Sequence, residues 1–264
     1  MPRPSIDRLP FSVRWKLLRQ WLYASVGYGG AHFVALEQDG DDFVVLVDDK
    51  RIFVPSPMRW KLYRYGWLAR LEQLAREYGV GRHIDLTQRS TVLDIGANAG
   101  EFAHIARQHG SRIFCCEPDP SAFRCLEQNV RTLSNVKTRS LAIWHSTGTI
   151  DIGLAPDRAD TSFFEQSGER VSVPSMSIDD FIETEQIDRI DLIKCDAEGA
   201  EPEVLDGLDR HASKVGVIAL DTGPERQGQR TNEACAERLR SKGFDVIEET
   251  VGKRCMTYGL NRTL

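Results

Sequence analysis

The hydrophobic and polar positions along this chain switch between a helical and an alternating period. Residues 11–28 carry apolar side chains at 11, 15, 18 and 22 with basic residues between them. That spacing predicts one amphipathic helix, stopped by Gly27, Gly29 and Gly30. Residues 33–54 alternate instead, and Phe43 to Val47 with Arg51 to Val54 predict a hairpin around Asp48-Asp49-Lys50. Beyond Pro55 and Pro57 the helical period returns over 58–79, with Tyr63, Trp67, Leu71 and Leu74 on one face. Residues 1–90 thus form an accessory region ahead of a domain over 91–264.

From residue 91 strands alternate with helices, the pattern of a mostly parallel, doubly wound sheet. Strands are predicted near 91–95, 112–117, 136–142, 190–196, 215–221, 244–250 and 254–259. Helices are predicted near 100–109, 120–133, 177–185, 200–208 and 231–242. The stretch 146–175 breaks this rhythm and reads as an inserted hairpin or loop. The last two strands are joined by too few residues for a crossover helix, so they are expected to pair antiparallel. The expected fold is α/β, a Rossmann-like seven-stranded sheet with an antiparallel final pair and an N-terminal helical and hairpin extension.

Composition adds limits. The chain has 264 residues, 41% of them hydrophobic and 28% charged, enough for a sizeable core. No apolar run approaches the ~20 residues needed to span a bilayer, and no apolar signal region follows the N-terminus. Six cysteines show no paired spacing, which suits reduced thiols in a cytoplasmic core. Charge is uneven: residues 1–90 carry 14 Lys and Arg against 10 Asp and Glu, and 91–264 carry 20 against 29. An acidic body argues against nucleic acid as a partner. The basic front end suits either a solvated helix or an anionic surface.

The chemistry concentrates where strands end. Val92 to Gly100 runs from an apolar strand through Asp94 into Gly96, Ala97, Asn98 and Gly100, a loop that lets a ligand lie against the backbone. The next strand ends in Glu117, which completes a βαβ unit that holds a nucleoside by its ribose. The third glycine of the dinucleotide pattern is missing, and Glu101 stands at the helix start, where it would repel a pyrophosphate. The choice therefore moves from NAD toward S-adenosylmethionine, with Asp94 near its amino acid end and Glu117 on the ribose. A second constellation, Ile190 to Glu201, delivers Asp196 and Glu198 to the same edge, with Gly199 for the turn. Glu201 reads equally well as a first-turn acid of the following helix.

With Glu117-Pro118-Asp119, the stretch Val92 to Gly100 resembles the cofactor region of class I S-adenosylmethionine-dependent methyltransferases. Asp191 to Glu201, followed by Val204-Leu205-Asp206-Gly207-Leu208, is similar to the signature of the FkbM family. Asn129, Leu141-Ala142 and Ser177 to Phe181 fall where that family has related residues, so the resemblance covers about 91–222. It implies the class I methyltransferase fold and O-methylation of a small-molecule or glycan hydroxyl, with S-adenosylhomocysteine as product. Gly96, Ala97, Asn98, Gly100, Glu101 and Phe102 would then wrap the methionine end, and Glu117 the ribose. Pro118, Asp119, Ala142 and Ile143 would border the adenine, and Asp196 would sit nearest the sulfonium and the acceptor. Trp144 and His145 depart from the family's smaller residues, and Asp221 stands where a glutamate is common.

Methyl transfer is an in-line displacement, and positioning supplies much of its acceleration. The candidate bases are Asp196, Glu198 and His145. Asp196 and Asp221 end adjacent strands, but no third oxygen ligand is evident, so a shared magnesium is not favoured. N- or carboxyl-methylation and a non-catalytic scaffold remain as alternative functions. The Trp15, Trp21 and basic pattern over 11–23 leaves open a lid, a homodimer contact and peripheral docking on a membrane.

Overall fold

The computed structural model describes residues 11–154 and 170–264. Positions 155–169 of the predicted insertion, and residues 1–10, lie outside the described residues.

The chain begins with α1 (Phe11–Ser25), followed by a small antiparallel sheet of β1 (Ala35–Asp39), β2 (Asp42–Val47) and β3 (Lys50–Val54). The expected hairpin is β2–β3, turned by Asp48 and Asp49 in left-handed conformation. Strand β1 is an addition that the alternation did not reveal, because its outer half is exposed and polar. The single helix expected over 58–79 is two elements, a 3-10 turn at Pro57–Tyr63 and α2 (Trp67–Glu77). Gly66 breaks them apart at φ 96°, and a Cβ there would strike Asp48 and His32. The same Asp48 accepts the Trp67 amide proton at 2.7 Å, so it caps α2 from outside the helix.

The larger sheet begins with β4 (Thr91–Ile95), α3 (Glu101–Gln108), β5 (Arg112–Cys116), α4 (Pro120–Val130) and β6 (Val136–Arg139). The strand expected over 136–142 is split, and its end becomes β7 (Ala142–Ile143). That short strand joins β8 (Gly148–Gly153) and β9 (Arg170–Met176) in a separate sheet of order β7-β9-β8. Then come α5 (Ile178–Thr184), β10 (Ile190–Cys195), α6 (Glu201–Asp206), β11 (Val215–Asp221), α7 (Asn232–Ser241), β12 (Asp245–Val251) and β13 (Arg254–Leu260). The seven-stranded sheet has the order β12-β13-β11-β10-β4-β5-β6. Only β13 runs antiparallel to its neighbours β11 and β12, as expected from the short β12–β13 link. The strand order reverses between β4 and β10, the switch point at which such sheets bind ligands.

Both faces of the central strands are buried, so their apolar residues alternate between two cores. Val92, Cys115, Leu192 and Ala219 face a core shared with α3, α4, Trp60, Tyr63, Leu74 and Tyr78. Val13 and Leu17 of α1 belong to that same core, so residues from the chain's front end cover one face of the sheet. Leu93, Phe114, Ile193 and Leu220 face the other core, built with α5, α6 and α7.

One charged pair sits inside this apolar sandwich. Lys194 on β10 and Asp94 on β4 are paired residues of adjacent strands, and Nζ lies 2.8 Å from the Asp94 carboxylate. Nζ also donates to the carbonyls of Gly96 (2.7 Å) and Ile95 (3.2 Å). Removing one member leaves the other as an uncompensated buried charge. Lys194→Met is therefore expected to lower the unfolding free energy by about 3–5 kcal/mol, and adding Asp94→Asn to recover part of that. Urea unfolding of the two variants checks this; a single variant as stable as the parent would contradict it.

Candidate active site

Above the switch point lies a cavity of about 370 Å³, within the range of small-molecule sites. Two loops build its floor, one leaving β4 (96–100) and one leaving β10 (196–200). They are pressed together: a Cβ on Gly96 would collide with the carbonyl oxygen of Asp196, and Gly96 itself has φ 68°. Each loop has a non-glycine residue in left-handed conformation two positions further on, Asn98 (φ 48°) and Glu198 (φ 50°). Such backbone persists where the surroundings enforce it, commonly at functional sites. Glu201 provides one enforcing contact, accepting the Ala197 and Gly199 amide protons at 3.1 Å each. Thr231 donates to its other oxygen at 2.9 Å, so Glu201 braces the loop from below.

Gly96, Ala97, Asn98, Glu101, Phe102, Glu117, Pro118, Asp119, Ala142, Ile143, Asp196 and Glu198 all line the cavity. Asp94, Gly100 and His145 are not among its lining residues. Asp94 is wholly buried behind the loop and paired with Lys194, so its charge is spent on holding β4 and β10 together. Gly100 faces away, against Leu126 and Val130 of α4. His145 is exposed, with its ring beside that of Trp144. Glu101 is also less available to an ammonium group than its position suggests. Tyr63 donates to it at 3.0 Å, and Arg70 lies 3.6 Å away.

Glu117 accepts the amide protons of Asn98 (2.7 Å) and Asp119 (2.9 Å), which fixes its carboxylate at the cavity wall. Burial pushes its pKa up to about 7, and those two amides only partly oppose the shift. Asp119 uses its own carboxylate to cap α4, accepting from Ser121 at 2.7 Å and Ala122 at 3.2 Å.

Asp196 takes both of its side-chain hydrogen bonds on one oxygen. It accepts from Tyr78 Oη at 2.9 Å and from Arg254 Nη1 at 2.7 Å. Burial alone would raise its pKa, but Arg254 and Lys194 outweigh this and hold it well below the usual carboxylate range. Its Oδ1 is buried with no hydrogen-bond partner, as is Asn98 Oδ1. Arg254 reaches on to Asp221 and lies 3.5 Å from Glu77. The guanidinium thus stands between Asp196 and Asp221, the two strand-end acids that a shared magnesium would need. Another acidic group forms beside it: Asp196, Glu198 and Glu225 each bring a carboxylate oxygen within 4.8 Å of the others. That set offers the oxygens a hard divalent cation takes. Burial, then Asp196 and Glu198, push Glu225 up to about 10, so it is neutral at physiological pH without such a cation.

Sequence reasoning missed Tyr78, Arg254 and Glu225, and also the wall made by Met58, Arg59, Lys61 and Leu62. Arg254 had a faint signal as the first residue of an antiparallel strand beside β11, since that places it at the edge where Asp221 ends. The register that brings it to Asp196 is visible only in three dimensions.

Comparisons with known proteins converge on this region. Residues 94–246 match the family model described as a methyltransferase FkbM domain. The 2-O-methyltransferase NoeI of Sinorhizobium fredii is 26% identical over 220 residues, covering 70% of this chain and 90% of that protein. The hexuronic acid methyltransferase AglP of Haloferax volcanii is 26% identical over 129 residues, 48% of this chain and 54% of that protein. Methyltransferase sdnD of Sordaria araneosa is 28% identical over 203 residues, covering 62% and 77% respectively.

The raised acids give the folded state a definite pH dependence. Glu117 and Glu201 both move from 4.5 to about 7, with burial the largest cause in each. A carboxyl raised by folding contributes stability that is complete below its unfolded pKa and lost as pH rises through the folded value. The ligand-free protein is therefore expected to lose stability between about pH 5 and 8, by up to roughly 3 kcal/mol for each group. Urea midpoints across that window check the sign, and Glu117→Gln is expected to flatten the profile. A midpoint that rises with pH would show that burial does not govern these groups.

Proposed function

The chain belongs to the FkbM family of methyltransferases, and from that premise we propose that it moves the methyl group of S-adenosylmethionine to a sugar hydroxyl. The acceptor in this reading is a sugar, a glycolipid or polysaccharide precursor, or a glycosylated natural product. The observation that carries it is the pair of opposing demands on the cavity floor. Gly96 lets the loop leaving β10 pack directly against the loop leaving β4, while Asn98 Oδ1 and Asp196 Oδ1 on that floor are buried acceptors without a donor. A nucleoside with hydroxyl and ammonium donors satisfies the Asn98 oxygen and leaves Asp196 Oδ1 to the methyl acceptor, whereas a pyrophosphate adds more acceptors. Glu117 suits the ribose diol, since its carboxylate is already held in place by the Asn98 and Asp119 amides.

When bound, the sulfonium supplies an electrophilic methyl group, and the chain has to bring a hydroxyl in line with it. Asp196 is placed to accept the hydrogen bond of that hydroxyl through Oδ1. Because Arg254 and Lys194 keep it ionised, Asp196 is always an acceptor and only a weak base. Its contribution is orientation, which is the larger part of what such a displacement needs. Tyr78 and Arg254 are positioning residues that fix the Asp196 carboxylate from two sides. The cavity wall of Met58, Arg59, Lys61 and Leu62 mixes apolar and cationic side chains. It suits an acceptor that carries a carboxylate or phosphate beside the sugar, and the relative named for hexuronic acid methylation fits that class.

Incubation with labelled S-adenosylmethionine and a panel of uronic acids, sugar nucleotides and glycolipids tests the proposal, with label in a sugar ether as the supporting product. S-adenosylhomocysteine is expected to raise the thermal midpoint of the parent and not that of Gly96→Ala. Asp196→Asn is expected to lower kcat by roughly 10²-fold or more while cofactor affinity changes little. Full turnover in Asp196→Asn would remove Asp196 from the reaction. Absence of any thermal shift with the parent would remove the cofactor.

A further inference from the structure

Helix α1 has two lengthwise stripes, and only one of them packs. Val13 and Leu17 are buried in the core shared with the sheet. On that side Gln20 Nε2 donates to the carbonyls of His32 (2.9 Å) and Arg64 (2.7 Å), and Trp21 Nε1 donates to the Val34 carbonyl. The other stripe is Phe11, Trp15, Leu18 and Leu22, continued by Val26 just past the helix end. All five are exposed, Phe11 at 75% and Trp15 at 64%. Spacings of three and four residues set them in one line along the helix. Scattered apolar residues are ordinary on a protein surface, but a continuous aromatic and aliphatic stripe marks an interaction face.

Charge identifies the occupant. At about 100° per residue, Arg19 borders the stripe on one side, with Lys16 further round toward the buried side, and Arg14 lies on the other. No acidic residue occurs between Asp7 and Glu37. A two-fold pairing of this helix with a second copy would set cations against cations with no acid on either helix to answer them. An anionic lipid surface meets both requirements, taking the apolar stripe into its acyl boundary and the cations at its headgroups.

We infer that α1 docks the protein on an anionic membrane surface through Phe11, Trp15, Leu18 and Leu22. The helix is fastened to Arg64, which directly follows the 57–63 turn that supplies Met58, Arg59, Lys61 and Leu62 to the cavity. Docking therefore holds one wall of the cavity at a fixed relation to the lipid. The inference does not depend on the methyl acceptor or the cofactor.

Sedimentation of the full chain with lipid vesicles, with neither cofactor nor acceptor present, tests it. Vesicles of phosphatidylcholine with about one-quarter phosphatidylserine are expected to carry the protein down, and pure phosphatidylcholine at least about tenfold less. Trp15→Glu with Leu18→Glu is expected to weaken binding by roughly tenfold or more. Lys16→Gln and Arg19→Gln should each weaken it about fivefold at low salt. All four positions lie outside the buried stripe, so circular dichroism and thermal unfolding should match the parent. The inference is overturned if anionic vesicles leave the protein in solution, or if the double glutamate variant binds as the parent does. It is equally overturned if ultracentrifugation shows a dimer that the same two substitutions dissociate.

Discussion

A single buried ammonium group sets the geometry from which the site is built. Lys194 Nζ donates to the carbonyls of Ile95 and Gly96 and forms an ion pair with the Asp94 carboxylate at the junction of β4 and β10. An isolated ammonium in that place would be prohibitively costly, and the same low dielectric makes its partnered state rigid. The consequence is mechanical. The Ile95 carbonyl accepts the Asp196 amide proton at 3.1 Å as well as the Lys194 ammonium, and the glycine loop is fixed relative to the loop beside it. Because Gly96 abuts the Asp196 carbonyl, fixing one loop fixes both.

Electrostatics at the acceptor end follows from the same centre. Five acids approach one another there, Asp196, Asp221, Glu77, Glu198 and Glu225, and Arg254 is the cation closest to three of them. The outcome is graded rather than uniform. Asp196, with Arg254 on one side and Lys194 on the other, is held strongly ionised. Asp221 shares the guanidinium but has no second cation, and burial with Asp196 lifts it to about 6. Glu225 is left with burial and like charges, and stays neutral. One edge of a sheet therefore presents a strongly ionised acid beside two acids pushed above the usual carboxylate range, a separation typical of reacting centres.

Much of this was legible in the sequence because it is local. The run from Val92 to Gly100 and the run from Ile190 to Gly199 each contain their own strand, turn glycine and helix start, so spacing alone places Asn98, Glu117, Asp196 and Glu198 at one edge. The antiparallel final pair was legible for the same reason, since a link of two or three residues permits nothing else. What stayed hidden depends on register and on which face of an element is used. Asp94 reads as a ligand-facing carboxylate, yet its partner Lys194 is a hundred residues away and only strand pairing joins them. Gly66 lies within a helical period that continues unbroken in Tyr63, Trp67, Leu71 and Leu74. The break comes from Asp48 and His32, which occupy the space a side chain would need and reward the new helix start with a cap.

The front of the chain shows the limit of periodicity most clearly. Over residues 11–25 the larger and more regular apolar stripe is Phe11, Trp15, Leu18 and Leu22, and pattern alone would bury it. The fold buries the thinner stripe instead, because Gln20 and Trp21 lie on that side and their hydrogen bonds to His32, Arg64 and Val34 can form only when that side faces inward. Polar side chains with distant backbone partners thus decide the orientation, and a hydrophobic count does not see them. The arrangement leaves the strongest apolar surface of the region facing out, on a helix whose cations have no acidic neighbours in sequence. A fold that needed this stripe for its own stability would have placed it against the sheet. Its exposure is better understood as a feature of what the molecule meets, and its attachment through Arg64 gives that encounter a route to the cavity wall.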